Sequence, residues 1–186
     1  MAEGSIKIKM PITEEVIKSL RIGDKVLLSG RLYTARDSAH MKLVELIAKN
    51  KKLPFELEGQ VIFYAGPTPP PPGEDIGVVG PTTSSRMDAY TVQLLRLGLR
   101  AVIGKGPRST EVKNGLAKYK AVYFVATGGV AALLKERIRS AKVIAYPELG
   151  AEAIYELVVQ DFPVIVAGDS LGQDLFEKGQ AVYRVG

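Results

Sequence analysis

One pattern, repeated three times along the chain, constrains the fold more than any other feature of the sequence. Each repeat begins with a short apolar strand, passes through a glycine-rich loop and ends in a helix; the apolar segments are IGVVG, RAVIGKG and KAVYFVATGG. Strands that are joined by crossover helices pair in parallel, so the repeats predict an α/β sheet. Two earlier strands, in KVLLSGRLYTA and GQVIFYAG, flank a helix in AHMKLVELIAKN.

The two ends of the chain depart from this repeat. Residues 1–22 contain a short helix candidate, ITEEVIKSL, with Thr13 as its N-cap, and we assign them to a peripheral segment of a single domain that spans residues 1–186. At the other end, AKVIAY, EAIYELVVQDF and PVIVAGDS have the character of strands, which predicts a mixed sheet or two sheets. The proline-rich residues 66–73 form a stiff extended segment, either a loop within the domain or a linker.

The composition excludes several classes of protein. The 186 residues include no cysteine and one histidine, His40, so the chain supplies neither disulfides nor thiolate ligands nor a zinc site built from several histidines. Its net charge of +5 suits an anionic ligand but is modest for a nucleic-acid-binding protein. No apolar run reaches the roughly 18 residues that span a bilayer, and the N-terminus lacks the apolar core of a secretory signal. We therefore expect a cytoplasmic protein that binds neither nucleic acid nor membranes.

Polar residues follow the predicted strands at the points where ligands bind in open parallel sheets. The residues expected there are Arg36, Asp37, Thr82, Thr83, Ser84, Arg86 and Lys105, with the glycines Gly128 and Gly129. Each arginine can bind a carboxylate at two points, the lysine adds a charge, and the helix start at 82–84 offers free amides. Because the chain has neither a GxxxxGK[ST] loop nor a GxGxxG loop, a small dianion fits this set better than a phosphate ester.

Each of these residues also has a purely structural interpretation. The arginines can form surface salt bridges, and the hydroxyls at 82–84 can cap a helix. Asp37 or Ser38 is the expected N-cap of the helix that follows, and His40 suits a structural hydrogen bond. Lys105 can be solvated, and the two glycines can form a tight turn. The residues alone therefore predict an α/β domain that binds a small anion, and they leave catalysis open.

Several motifs, taken in order, resemble a known family. YTARDSAH, YAGPTPPPPGE, GPTTSSRMD, AVIGKG and ATGG are similar to the β subunit of class I, iron–sulfur-dependent fumarate hydratase, and to its close relative, the L-tartrate dehydratase β subunit. The resemblance runs from about residue 23 to residue 170, and YPELGAEA and DFPVIVAGDS belong to it. It implies a swivelling β/β/α domain with a mixed sheet, and the reversible hydration of fumarate to L-malate.

The resemblance also implies a cofactor and a partner. In the family, a [4Fe–4S] cluster binds the substrate through an iron that no cysteine holds, and that iron acts as a Lewis acid on the leaving hydroxyl. The cluster cysteines belong to a partner α subunit or domain. A chain without cysteine would then bind no cofactor alone, and would act on its dicarboxylate with a cluster-bearing α subunit in a higher-order oligomer.

Roles for individual residues follow from the same motifs. Arg36, Arg86 and Lys105 would hold the substrate carboxylates, and Thr82 would take the proton from C3. Asp37 and His40 follow Arg36 in its motif and would orient it or take part in proton transfer. No metal ligand is expected within the chain.

Two departures from the family pattern leave the identity of the diacid open. Ser85 stands where glycine is common, and Pro107 follows GKG where asparagine is common. The alternatives are a dehydratase for L-tartrate or another hydroxy-diacid and, in a different class, a non-catalytic module that binds a small anion.

Overall fold

The computed structural model describes residues 4–126 and 131–183. Its strands are β1 (Ile6–Lys9), β2 (Lys25–Thr34), β3 (Val61–Phe63), β4 (Ala101–Gly104), β5 (Val122–Val125), β6 (Ile138–Ala145) and β7 (Ile154–Gly168). The helices are α1 (Glu14–Ser19), α2 (Asp37–Ala48), α3 (Asp88–Arg96), α4 (Thr110–Tyr119), α5 (Ala131–Lys135) and α6 (Leu175–Tyr183), with 3₁₀ helices at Ser84–Met87 and Pro147–Glu152. None of the helices in these ranges is long and apolar enough to cross a membrane.

The strands form one mixed sheet that closes on itself. Strands β1 to β5 pair in parallel in chain order, as crossover helices require, and β7 runs antiparallel to β5, β6 and β2. Because β7 pairs with both β5 and β2, the strands β2, β3, β4, β5 and β7 form a closed ring. The predicted α/β architecture with a mixed sheet is confirmed, and the swivelling arrangement stays an expectation from the resemblance.

The closed sheet separates two apolar layers. Side chains alternate along each strand, so that Val61 and Phe63 belong to one buried cluster and Ile62 between them belongs to the other. The second cluster also contains Leu43 of α2 and Leu94 of α3, which identifies it as the face that the helices cover. Burial of each such side chain stabilises the fold by about 1.5 to 3 kcal/mol, so these two layers hold the strands and helices together.

Residues 4–22 lie at the edge of the sheet but take part in the core. Strand β1 pairs with Val26–Ser29 of β2, and the helix expected after Thr13 is present, with the Val16 amide 3.5 Å from the Thr13 hydroxyl. Four apolar side chains of this segment are buried in the first cluster: Ile8, Ile12, Ile17 and Leu20.

One strand prediction was wrong, and two predicted strands prove to be a single strand. IGVVG forms no strand, because Gly77 is packed against Thr68, whose carbonyl oxygen would lie 2.2 Å from a Cβ, and the Val78 amide donates to the Thr68 hydroxyl. EAIYELVVQDF and PVIVAGDS are not separate strands but one 15-residue strand, β7. It continues through Asp161, which has a φ of 50°, and through Pro163, which lies opposite Leu27 of β2.

Candidate active site

The parallel order of β3 and β4 brings two loops together at one edge of the sheet. The Thr82 amide donates to the carbonyl of Tyr64, just after β3, at 2.8 Å. The Ser84 amide donates to the Lys105 carbonyl at 2.9 Å, and the Lys105 amide donates to the Thr82 carbonyl at 3.2 Å. The backbones that carry Thr82 and Lys105 are therefore neighbours, although the two residues lie 23 positions apart in the sequence.

These backbone bonds overturn two expectations about residues 82–84. The amides of Thr82 and Ser84 are not free, because both donate to carbonyls. No hydroxyl of this stretch caps the short helix, whose N-cap residue Thr83 makes no side-chain capping bond. The Ser84 hydroxyl instead accepts a hydrogen bond from the Tyr123 hydroxyl at 2.9 Å. The amides of Thr82 and Ser84 are therefore not available to an anion at this edge.

Arg86 joins the start of α2 to Thr82. Its Nε donates to Asp37 Oδ1 at 2.8 Å, and its Nη2 makes a second, closer contact with Asp37 Oδ2. Its Nη1 donates to the Thr82 hydroxyl at 3.2 Å. A two-point arginine–carboxylate pair fixes the plane of the guanidinium, so Asp37 holds Arg86 in place beside Thr82.

Arg36 lies on the other side of Asp37. Its Nε is 3.4 Å from Asp37 Oδ2, and its Nη2 is 3.2 Å from Glu152 Oε1. Glu152 Oε2 also accepts the Ser38 amide at 2.8 Å, one of the amides that have no partner within the first turn of a helix. The capping prediction for Asp37 and Ser38 was wrong: Arg36 is the N-cap residue and has no side-chain capping bond, and the Asp37 carboxylate turns to Arg86.

We refer to Arg36, Asp37, Arg86, Lys105 and Glu152 as the cluster around Asp37. Both of its carboxylates are held in the charged form. The hydrogen bond from Arg86 lowers the pKa of Asp37 to about 2. Burial alone would raise the pKa of Glu152, but the Ser38 hydrogen bonds and the charge of Arg36 outweigh it and the pKa is lowered. Lys105 is exposed and pairs with no acidic side chain of the described residues. Three cations against two carboxylates leave the cluster with one net positive charge.

His40 lies apart from this cluster. It is fully buried on α2, with Nδ1 3.0 Å from the Arg36 carbonyl oxygen and its ring edge-on to Tyr64 at 5.2 Å between centroids. Burial lowers the pKa of His40 to about 4, so the ring is neutral near pH 7 and Nδ1–H donates to the carbonyl. Of the residues expected at the site, the structure brings together the side chains of Arg36, Asp37, Thr82 and Arg86, with Lys105 adjacent through its backbone; it leaves His40 beneath them.

A buried arginine supports the two loops, and only a weak signal in the sequence points to it. The Arg108 side chain is 0% exposed and lies between the rings of Tyr64 and Tyr123, at 5.2 and 5.1 Å. It donates to Asp88 at 2.7 Å and to Thr91 at 2.7 Å. The only hint of this buried pair in the sequence is that each partner lies in or next to a site motif. Asp88 is the last residue of GPTTSSRMD, and Arg108 lies two residues after AVIGKG.

Comparison with known proteins identifies the family. A family model described as Fumarase C-terminus matches residues 2–179. The chain belongs to this family. The match covers every residue of the cluster around Asp37. Gly128 and Gly129, the remaining expected site residues, lie outside the residues that the structure describes.

Members of the family differ in length and in name. The chain is 39% identical over 180 residues to "Putative L(+)-tartrate dehydratase subunit beta" of Methanocaldococcus jannaschii, covering 93% of this chain and 92% of that one. It is 32% identical over 178 residues to "L(+)-tartrate dehydratase subunit beta" of Escherichia coli K12, covering 93% and 87%. It is 40% identical over 160 residues to "Fumarate hydratase class I, anaerobic" of the same strain, covering 84% of this chain but 29% of the relative.

The side chains of this chain do not fit the iron–sulfur cluster that the resemblance implies. The sequence contains no cysteine, and within residues 4–126 and 131–183 no group of three His, Cys, Asp or Glu side chains can hold a metal ion. Arginine and lysine side chains fit carboxylates instead. The cluster around Asp37 is therefore suited to bind a dicarboxylate and is unsuited to bind iron.

Proposed function

We propose that this chain is the β subunit of a hydro-lyase that reversibly hydrates fumarate to L-malate, and that a partner α subunit holds the [4Fe–4S] cluster. The observation that carries the proposal is the pairing of Arg86 with both Asp37 and the Thr82 hydroxyl, beside Arg36. This arrangement combines two carboxylate-binding groups with an oxygen that can accept a proton. The proposal includes a cytoplasmic location and a higher-order oligomer.

Arg86 keeps donors for a substrate carboxylate while it is held in place. A guanidinium has five N–H groups. Arg86 uses one each on Nε, Nη1 and Nη2 for Asp37 and Thr82, so one N–H on each Nη is left. Two such N–H groups bind a carboxylate at two points. Lys105 adds an exposed charge that a second carboxylate can reach, since its backbone adjoins Thr82.

Thr82 supplies the oxygen proposed for proton transfer at C3. A threonine hydroxyl is a poor base near neutral pH, and it needs nearby positive charge to hold a negative charge on its oxygen. Arg86 Nη1 donates to this oxygen at 3.2 Å. Asp37 remains ionised and orients Arg86, and the neutral His40 holds the Arg36 carbonyl; both thus act through the arginines.

The charge of the cluster supports an active site that two subunits share. One net positive charge among Arg36, Asp37, Arg86, Lys105 and Glu152 is less than a dicarboxylate needs for neutralisation. The chain also lacks thiolates for an iron–sulfur cluster. Both shortfalls are met if a partner α subunit contributes the cluster and further cationic groups to the same site.

L(+)-tartrate is the second candidate substrate. The chain covers 92% and 87% of the lengths of the two relatives named as tartrate dehydratase β subunits, whereas it covers 29% of the length of the fumarate hydratase relative. Both substrates are four-carbon dicarboxylates that lose or gain water.

The experiment that tests the proposal uses both diacids on one assembly. The chain is co-expressed with its partner subunit, the cluster is reconstituted without oxygen, and fumarate–malate conversion and oxaloacetate formation from L-tartrate are measured. A higher kcat/KM for fumarate and malate supports the first candidate, and a higher value for tartrate supports the second. An assembly that binds a diacid but converts neither would identify a non-catalytic anion-binding module.

A further inference from the structure

We propose that Glu152 is a positioning residue that sets the orientation of Arg36, and that the 3₁₀ segment Pro147–Glu152, which is kinked at Gly150, is the brace that carries it. The inference rests on the proposed function in so far as Arg36 is taken to bind a substrate carboxylate. Glu152 contacts the start of α2 through a hydrogen bond from the Ser38 amide, and these two residues lie 114 positions apart in the sequence.

One carboxylate holds two points of the α2 N-terminus. Glu152 Oε1 is 3.2 Å from Arg36 Nη2, and Oε2 accepts the Ser38 amide at 2.8 Å. The side chains of Arg36 and Glu152 are 29% and 24% exposed, so solvent competes for the pair only in part. The hydrogen bond from the Ser38 amide anchors the Glu152 carboxylate to the helix. The ion pair between Arg36 and Glu152 therefore has a defined direction rather than a range of surface geometries.

Gly66, three residues after β3, lies close both to the brace and to the stem of Arg36. A Cβ at Gly66 would lie 2.4 Å from the Ala151 carbonyl oxygen and 3.1 Å from Arg36 Cδ. Within the brace, the Leu149 amide donates to the Tyr146 carbonyl at 2.9 Å, so the segment keeps its own hydrogen bonds. Arg36 is therefore fixed by packing along its stem and by Glu152 at its tip.

Glu152 also keeps the two arginines of the site apart. Arg36 Nε is 3.4 Å from Asp37 Oδ2, the same oxygen that Arg86 Nη2 contacts. If the Glu152 charge is removed, Asp37 is the nearest carboxylate left to Arg36, and the two arginines then compete for it. We expect Arg36 to turn toward Asp37 and to lose the geometry that a substrate carboxylate requires.

Glu152→Gln and Glu148→Gln form a matched pair of variants for the test. Glu152→Gln removes the charge but keeps an oxygen that can accept the Ser38 amide, so the start of α2 is preserved. Glu148 lies on the same 3₁₀ helix, is exposed, and makes no ion pair or side-chain hydrogen bond with the described residues. Glu148→Gln therefore makes the same chemical change without touching Arg36.

The first measurement does not depend on the reaction. The full chain is labelled with ¹⁵N, and the guanidinium signals of Arg36 are assigned from their absence in Arg36→Lys. We expect slow rotation about the terminal C–N bond of Arg36 in the wild type and in Glu148→Gln, and fast rotation in Glu152→Gln. Unchanged Arg36 signals in Glu152→Gln would overturn the proposal whether or not the chain is part of a hydro-lyase.

The second measurement uses the reconstituted two-subunit assembly with the diacid that it converts. Because misplacement of a binding group can cost up to about 100-fold in rate, we expect Glu152→Gln to lose about 10- to 100-fold in kcat/KM, mostly through KM, and Glu148→Gln to match the wild type. Wild-type constants for Glu152→Gln, with a loss only in Glu152→Ala, would show that Glu152 is a helix cap and would refute the positioning role. If the wild-type assembly converts no diacid, the proposed function fails and the NMR measurement still decides this inference.

Discussion

Replacement of Asp37 by asparagine tests the pairing on which the site depends. Asparagine keeps the size of the side chain but removes the charge that holds Arg86 at two points. The pKa of Asp37 falls from an ordinary value of 3.8 to about 2, which corresponds to roughly 2 kcal/mol at about 1.4 kcal/mol per unit. The side chain is 36% exposed, so solvent screens the pair and we expect about 1 kcal/mol.

The pH dependence has a definite sign. Since the folded-state pKa of Asp37 is depressed, its contribution to stability is fully present above the unfolded pKa and is lost as the pH falls through the folded value of about 2. We therefore expect Asp37→Asn to lower the free energy of unfolding by about 1 kcal/mol near pH 7, and the difference from wild type to close toward pH 2.

Urea unfolding of the full chain at a series of pH values measures this difference. Asp75→Asn is the control, because Asp75 is exposed and forms no ion pair with the described residues. It should change stability by less than about 0.5 kcal/mol at any pH. The reasoning would be refuted if Asp37→Asn were as stable as the wild type near pH 7, or if its deficit did not shrink in acid.

Three further predictions address other parts of the account. The chain alone, treated anaerobically with iron and sulfide, should remain colourless and should not hydrate fumarate, since it has no thiolate; a stoichiometric cluster in its visible spectrum would contradict this. Thr82→Ala in the reconstituted assembly should lower kcat far more than it changes KM, whereas a rise in KM alone would limit Thr82 to ground-state binding. Arg108→Leu should lower the free energy of unfolding by about 3 to 5 kcal/mol, because it leaves the Asp88 carboxylate without its buried partner; a loss below about 1 kcal/mol in urea unfolding would show that the network is not a support.

The sequence predicts those parts of the fold that depend on neighbouring residues. Strand β2 and helix α2 follow from local apolar patterns, and the start of α1 from the cap at Thr13. The closure of the sheet does not follow from such local patterns, because it pairs residues that are far apart in the sequence. Lys25 of β2, for example, lies opposite Ile165 of β7. IGVVG has the composition of a strand, but its Val78 exchanges hydrogen bonds with Thr68 of the preceding loop and not with a strand, and only the tertiary structure contains that contact.

The same division between local and long-range features applies to the site. Arg36, Thr82 and Arg86 stand in recognisable motifs, and the parallel order of strands indicates that they meet at one edge. Two motifs contain the acidic residues Asp37 and Glu152, but the sequence does not show that these residues pair with the arginines. Glu152 pairs with Arg36 although the two residues are far apart in the sequence. The sequence does not show that Arg108 lies between the rings of Tyr64 and Tyr123. A count of cations in the sequence therefore overstates the positive charge of the site.

Steady-state kinetics of an Arg86→Lys assembly tests the central claim most directly. Lysine keeps the charge of Arg86 but cannot bind a carboxylate at two points or hold Asp37 and Thr82 together. At equal cluster occupancy, we expect kcat/KM for fumarate and malate to fall about 30- to 1,000-fold, a loss of roughly 2 to 4 kcal/mol in transition-state stabilisation. Arg96→Lys, on the exposed end of α3, should retain wild-type values. Wild-type turnover and KM in Arg86→Lys would contradict the claim that this cluster binds the dicarboxylate.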